Sequence, residues 1–163
     1  MELFEWMTST TWGESLLTLL VSMVPVIELR GGVPFGTALG LAPLHALVVC
    51  IIGNMLPIPF IIVYIRRIFH WMRRRSPRLN ALVDKLEKKA HLKGQKVTKY
   101  KYIGLWLFVA IPLPGTGAWT GALVAAMMEM RLKRAFPAIV IGVVIAGVIV
   151  SIVTYGAQAI FSF

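Results

Sequence analysis

Two opposite charges two residues apart, Glu28 and Arg30, stand inside a long apolar stretch. A charge at membrane depth is costly enough that it normally pairs, faces a cavity or serves a pathway. Arg30 offers a planar fork of donors suited to phosphate or carboxylate. Glu28, once desolvated, is the candidate for proton exchange near neutrality, because burial disfavours the charged form of a carboxyl. Together they read as a proton-linked anion site, and the plainer alternative is a buried salt bridge that holds a hairpin tip. Gly31 and Gly32 follow directly, and a second small-residue run holds Gly115, Thr116, Gly117 and Thr120. Half-helices starting after Gly32 and Gly117 would aim free amides at the same anion, with threonine hydroxyls beside them. Asn54, in Gly53-Asn54-Met55-Leu56-Pro57-Ile58-Pro59, either caps backbone groups freed by the prolines or contacts substrate. These residues, with Glu28 as the proton-coupling group, are the candidate site.

Other chemistry lacks its residues. Cys50 stands alone in an apolar run, and His45, His70 and His91 do not cluster with acids at ligand spacing. No phosphate-binding loop, dinucleotide fingerprint or nucleophile elbow occurs. The expectation is a non-enzyme with no cofactor and no metal.

The elements that carry these residues are membrane elements. Of 163 residues 58% are hydrophobic and 15% charged, with a mean hydropathy of +0.77. A soluble domain has about a quarter of its residues charged. Apolar stretches run over 16–27, 42–65, 103–128 and 136–160, and about 20 such residues cross a bilayer. The N-terminal stretch holds Glu2, Glu5 and Glu14 and no basic residue, so no cleaved signal peptide is expected. Between Arg66 and Lys101 there are 13 basic residues against Asp84 and Glu87, and the rest of the chain nets −1. A basic run enclosed by membrane segments is read by the positive-inside rule as cytoplasmic, rather than as a nucleic-acid site. Within it, Ser76-Pro77 starts a helix whose apolar stripe, Leu79, Leu82, Val83, Leu86 and Ala90, would lie on anionic headgroups.

Counting every apolar stretch as a full span puts Arg131, Lys133 and Arg134 outside and the acidic N-terminus inside, against the charge rule. Both violations vanish if 14–42 and 102–130 are re-entrant hairpins, with tips at Arg30-Gly31-Gly32-Val33-Pro34 and Ile111-Pro112-Leu113-Pro114-Gly115-Thr116-Gly117. Such tips must face protein or a water-filled cavity. Setting Leu29–Leu39 over Leu113–Leu123 matches Leu29, Gly31, Ala38 and Leu39 with Leu113, Gly115, Ala122 and Leu123, and puts Phe35 opposite Trp119. The expected fold is therefore an all-α integral membrane domain of two inverted repeats. The first covers 13–66 (hairpin 14–42, transmembrane helix 43–66), a basic linker covers 67–101, and the second covers 102–161 (hairpin 102–130, transmembrane helix 136–160). Both termini lie outside the cell membrane in this arrangement. Two spans leave little lateral surface, which favours a homo-oligomer.

The three motifs, Glu28-Leu29-Arg30-Gly31-Gly32-Val33-Pro34, Gly53-Asn54-Met55-Leu56-Pro57 and Pro112 to Gly121, together resemble the small multidrug export protein family of bacteria and archaea. That family looks like a distant relative of the DedA (VTT-domain) membrane proteins, which pair two oppositely oriented re-entrant hairpins and are linked to moving polyprenyl phosphate. Carried over, the charged hairpin residues are Glu28 and Arg30; DedA proteins have charges at both hairpins, and the second tip here has none. The resemblance implies a secondary transporter of an anionic amphiphile such as undecaprenyl phosphate, with Arg30 on the headgroup and Glu28 coupled to protons. A proton-linked exporter of small amphipathic drugs is the second reading, and a scaffold whose basic loop recruits partners or anionic lipid is the third. Loss of Arg30 should be worst for an anion carrier, and loss of Glu28 for a cation exporter.

Overall fold

The computed structural model describes residues 8–94, 101–113 and 115–161. The acidic start of the chain with Glu2, Glu5 and Trp6, the end of the basic run with Lys96, Lys99 and Tyr100, and Pro114 fall outside these. Eight helices are named: α1 (Thr11–Met23), α2 (Glu28–Ala38), α3 (Pro43–Met55), α4 (Ile58–Arg75), α5 (Pro77–Gly94), α6 (Lys101–Ala110), α7 (Ala118–Met127) and α8 (Leu132–Phe161). The described residues contain no strand.

Two stretches, Pro43–Ile65 and Leu132–Ala157, are long and apolar enough to cross a membrane. The first runs through α3 into α4 with a break at Leu56-Pro57, where proline supplies no N–H. Leu44, Val48 and Ile52 on α3 and Ile141, Val144, Val148 and Ile152 on α8 are exposed at helical spacing. Apolar stripes turned outward on both membrane-length stretches suit hydrocarbon rather than water. Past Ile65, α4 continues into Arg73, Arg74 and Arg75 and bends at Ser76 into α5. The bend is tied by Arg73, which pairs with Asp84 at 2.8 Å and donates to Asn80 at 3.1 Å. The linker helix starts at Pro77, as the Ser76-Pro77 pair predicts, and its Val83 is buried.

The two halves repeat one packing scheme. In each, the first hairpin arm lies on the long helix (α1 on α3, α6 on α8) and the second arm packs on both. The second arms then cross over, α2 against α8 and α7 against α4. Glycines mark the equivalences. A Cβ on Gly53 would meet the Leu19 carbonyl and Ser22; one on Gly142, 89 residues later, would meet the Trp106 carbonyl and Val109. Likewise Gly32 sits against Ser22 and Cys50, and Gly121 against Val109 and Ile139. Small residues let helix backbones approach where no hydrophobic drive operates between them. The second arms end alike too: Leu41 N–H donates to the Gly36 carbonyl and Met130 N–H to that of Ala125, both at about 3 Å, after positive-φ residues Gly40 and Glu129.

This packing corrects the expected register. Gly32 lies opposite Gly121 and Arg30 opposite Trp119, an offset of 89 residues where the four sequence identities imply 84. Those identities join small and apolar residues that recur throughout both halves, so they carry little register information. The first tip is also displaced. Helix α2 already contains Arg30 to Pro34, and the chain turns at Val24 to Ile27. Pro25 causes this, because the residue before a proline is driven out of helical geometry, and Val24 is extended at φ −70°, ψ 126°. Gly31 and Gly32 are helical packing positions, not a break.

Candidate functional site

The site forms where the two tips meet. At the first, Val26 (φ 81°) and Glu28 (φ 49°) hold a left-handed backbone that costs about 1–3 kcal/mol each for such residues. From this turn Glu28 and Arg30 both reach the other hairpin. Glu28 is 5% exposed, and its Oε1 accepts the Trp119 N–H at 3.1 Å, in the first turn of α7. A carboxylate there meets the positive end of the helix dipole and free amides, an interaction of up to ~2 kcal/mol when partly buried. Gly117 makes the approach possible: at φ 133° it precedes α7, and any Cβ would strike the Glu28 carboxylate.

Arg30 closes the other side of the same tip. Its guanidinium, half-buried, donates to the carbonyls of Leu113 and, at 3.3 Å, Ile111, just past the end of α6. It also donates to Thr116 Oγ1 at 2.8 Å. That hydroxyl lies 2.7 Å from the Ile111 carbonyl and 2.8 Å from that of Leu113, and donates to one of them. Positive charge thus sits at the negative end of α6 and negative charge at the positive end of α7. The second tip has no charged residue because the first hairpin supplies both. Glu28 and Arg30 bond opposite ends of the other hairpin and not each other; among the described residues the ion pair is Arg73 with Asp84.

The service is returned by Trp119, whose indole N–H donates to the Met23 carbonyl at 3.1 Å, at the last residue of α1. Arg30 and Trp119 each bond carbonyls at the end of the other half's first arm. Backbone groups at each tip are thus bonded by side chains of the other hairpin.

Between the tips lies a cavity of about 420 Å³ lined by Pro25, Val26, Glu28, Arg30, Pro112, Gly115, Thr116, Trp119, Thr120 and Leu123. Of the candidates from sequence, the structure brings Glu28, Arg30, Gly115, Thr116 and Thr120 to it, with Gly117 directly under Glu28. Gly32 is buried against Ser22 and Cys50, and Gly31 faces the Ile27 side chain, so neither lines the cavity. The half-helix expected after Gly32 starts four residues earlier, at Glu28, and the N-terminus after Gly117 is taken by Glu28 itself. Asn54 is fully buried, and neither of its amide atoms has a hydrogen-bond partner, so it does not cap the proline break. It borders a narrow crevice with Glu28, Arg30 and Gly117. Pro25, Val26, Pro112, Trp119 and Leu123 are lining residues outside the candidate set. The signals for two of them are present: Val24-Pro25 as a helix stop, and Trp119 as an indole N–H needing a partner in an apolar hairpin.

A helical membrane protein with a cavity closed by two interlocked broken hairpins is the class this arrangement defines. The chain belongs to the family described as "Putative small multi-drug export protein", whose profile matches residues 28–149 of the 163. The match opens on Glu28 and contains both capping charges, Asn54 and the whole second tip. No curated protein and no solved structure matches the chain.

Proposed function

We propose that the protein is a small secondary exporter in which the cavity between the tips receives an amphipathic molecule and Glu28 is the acid that exchanges proton for substrate. The observation that carries this reading is the position of the Glu28 carboxylate, which borders the cavity while its bond to the α7 amide joins the two halves. A proton on Glu28 removes the charge that the α7 N-terminus attracts, so loading the acid loosens one half from the other. A cationic amphiphile competes for the same carboxylate, with Pro25, Val26, Pro112, Trp119 and Leu123 against its apolar part. The description of the family supports export of small molecules.

In the membrane the hairpins are re-entrant from opposite sides, the basic linker is cytoplasmic on anionic lipid, and the protomers associate. The matched packing of the two halves and the +11 charge of the linker segment support this arrangement. A second reading, transport of a lipid phosphate in the manner of DedA proteins, is favoured by the Arg30 guanidinium in the cavity wall.

Proteoliposomes test both. The exporter reading predicts movement of a lipophilic cationic dye against an imposed pH gradient, reduced at least tenfold by Glu28→Gln and less by Arg30→Gln. Failure to move the dye, with Arg30-dependent flipping of a short polyprenyl phosphate, would replace it with the lipid reading.

A further inference from the structure

Asn54 stands in the last turn of α3, with relative exposure of 0% and with both its Oδ1 and its Nδ2 unbonded. A buried polar side chain left unsatisfied costs about 1–3 kcal/mol, and native structures contain few. The crevice it borders is also lined by Glu28, Arg30, Gly117 and Val143, and has no space for a water molecule. A hydrated metal ion is therefore too large for it, and the neighbouring guanidinium repels a bare cation. A proton needs no volume.

The chemistry of the orphaned groups is specific. A carboxamide offers one acceptor and one N–H₂ donor side by side, and a protonated carboxyl offers one O–H donor and one acceptor in the same spacing. An ionised carboxylate matches only half of that set. We propose that Asn54 is the seat of Glu28 in its proton-loaded state: the protonated carboxyl leaves the α7 amide, donates its O–H to Asn54 Oδ1 and accepts from Nδ2. The present structure is then the ionised state, in which Glu28 caps α7 and Asn54 waits. Asn54 acts as a positioning residue that sets how tightly Glu28 holds its proton and how far the tip must open to release it. The proposal rests on the reading of Glu28 as the exchanging acid.

Other titratable groups on the elements packed against α2 do not compete for the role. Glu14 lies near the far end of α1, and His45 on α3 is bonded to Ser15 at 2.9 Å. Cys50 sits under Gly32, and Tyr155 on α8 is bonded to Thr37 at 2.8 Å. Lys133 and Arg134 are exposed at the start of α8, and α7 has no titratable residue. Arg30 is the charge beside Glu28.

Infrared difference spectra of the reconstituted full chain, acid minus alkaline, test the pair. The carbonyl band of protonated Glu28 is identified by its loss in Glu28→Gln. In Asn54→Leu this band should move to higher wavenumber, and the proton affinity it reports should fall about tenfold, the effect of losing a hydrogen bond to the neutral form. Because Asn54 makes no bond in the ionised state, the melting temperature of Asn54→Leu should be unchanged or raised at alkaline pH and lowered at acid pH. An unshifted band with native affinity, an equal loss of stability at both pH values, or no Glu28 band in the native protein overturns the proposal. Transport is not read here. A Glu28→Gln variant that exports normally refutes the exporter reading on its own, whatever the spectra show.

Discussion

The first tip turns through Val24-Pro25-Val26-Ile27 and puts two charges on the helix that follows, whereas the second winds from Ala110 to Ala118 without a charge. One is built to reach and the other to be held. The polar contacts differ accordingly: Arg30 faces the α6 end where Trp119 faces the α1 end, and Gly117 leaves the space that the Glu28 side chain fills. The two halves share their close helix packing, and the polar contacts at the tips are divided between them.

The sharpest way to break this comparison is at Gly117. Gly117→Ala places a methyl on the Glu28 carboxylate at φ 133° and should cost about 3–5 kcal/mol, from backbone strain plus overpacking. Gly115→Ala, at φ 79° with open space around it, should cost only the backbone strain, about 1–3 kcal/mol. Thermal melting in detergent compares the two, and similar losses would mean that Glu28 does not occupy the α7 end.

The repeat itself is tested by paired glycines. Gly53→Ala meets the Leu19 carbonyl at 2.5 Å and Gly142→Ala the Trp106 carbonyl at 2.7 Å, and backbone cannot yield as a side chain can. Each should lose roughly 1–3 kcal/mol, and the two losses should match. A large effect at one and none at the other would refute equivalence of the halves.

Smaller effects separate the two caps. Arg30→Gln gives up charge-assisted bonds to two carbonyls and a hydroxyl, about 2–3 kcal/mol, while Trp119→Phe gives up one bond to Met23, ~1 kcal/mol. Because the two caps close different arms, the double variant should lose the sum of the two within about 0.5 kcal/mol; a larger departure would show that they act as one unit.

Much of this molecule is legible in its composition and punctuation. The apolar runs, the break in helix from Ile111 to Gly117 and the start of the linker helix at Pro77 all follow from charge, hydropathy and proline chemistry. The position of the first tip was also readable, in Val24-Pro25, but the glycines after Arg30 are the louder signal and serve packing instead. What the sequence does not contain is which hairpin each charge serves. Glu28 caps a helix that starts 90 residues later, and Arg30 bonds carbonyls more than 80 residues away. Such long-range caps leave no local pattern. The same holds for Asn54, whose lack of a partner is visible only once its surroundings are built.

The proposed arrangement has two hairpins that enter from opposite faces of the membrane and close each other's tips, and its decisive test is cysteine accessibility from each side. In a Cys50-free background, single cysteines at Ser9, Gly40, Gly94, Lys133 and Ser162 are labelled from each side. External labelling is expected at Ser9, Gly40 and Ser162 and cytoplasmic labelling at Gly94 and Lys133. Labelling of Ser9 and Gly40 from opposite sides, or of Gly94 and Lys133 from opposite sides, would show a hairpin crossing the membrane and contradict it.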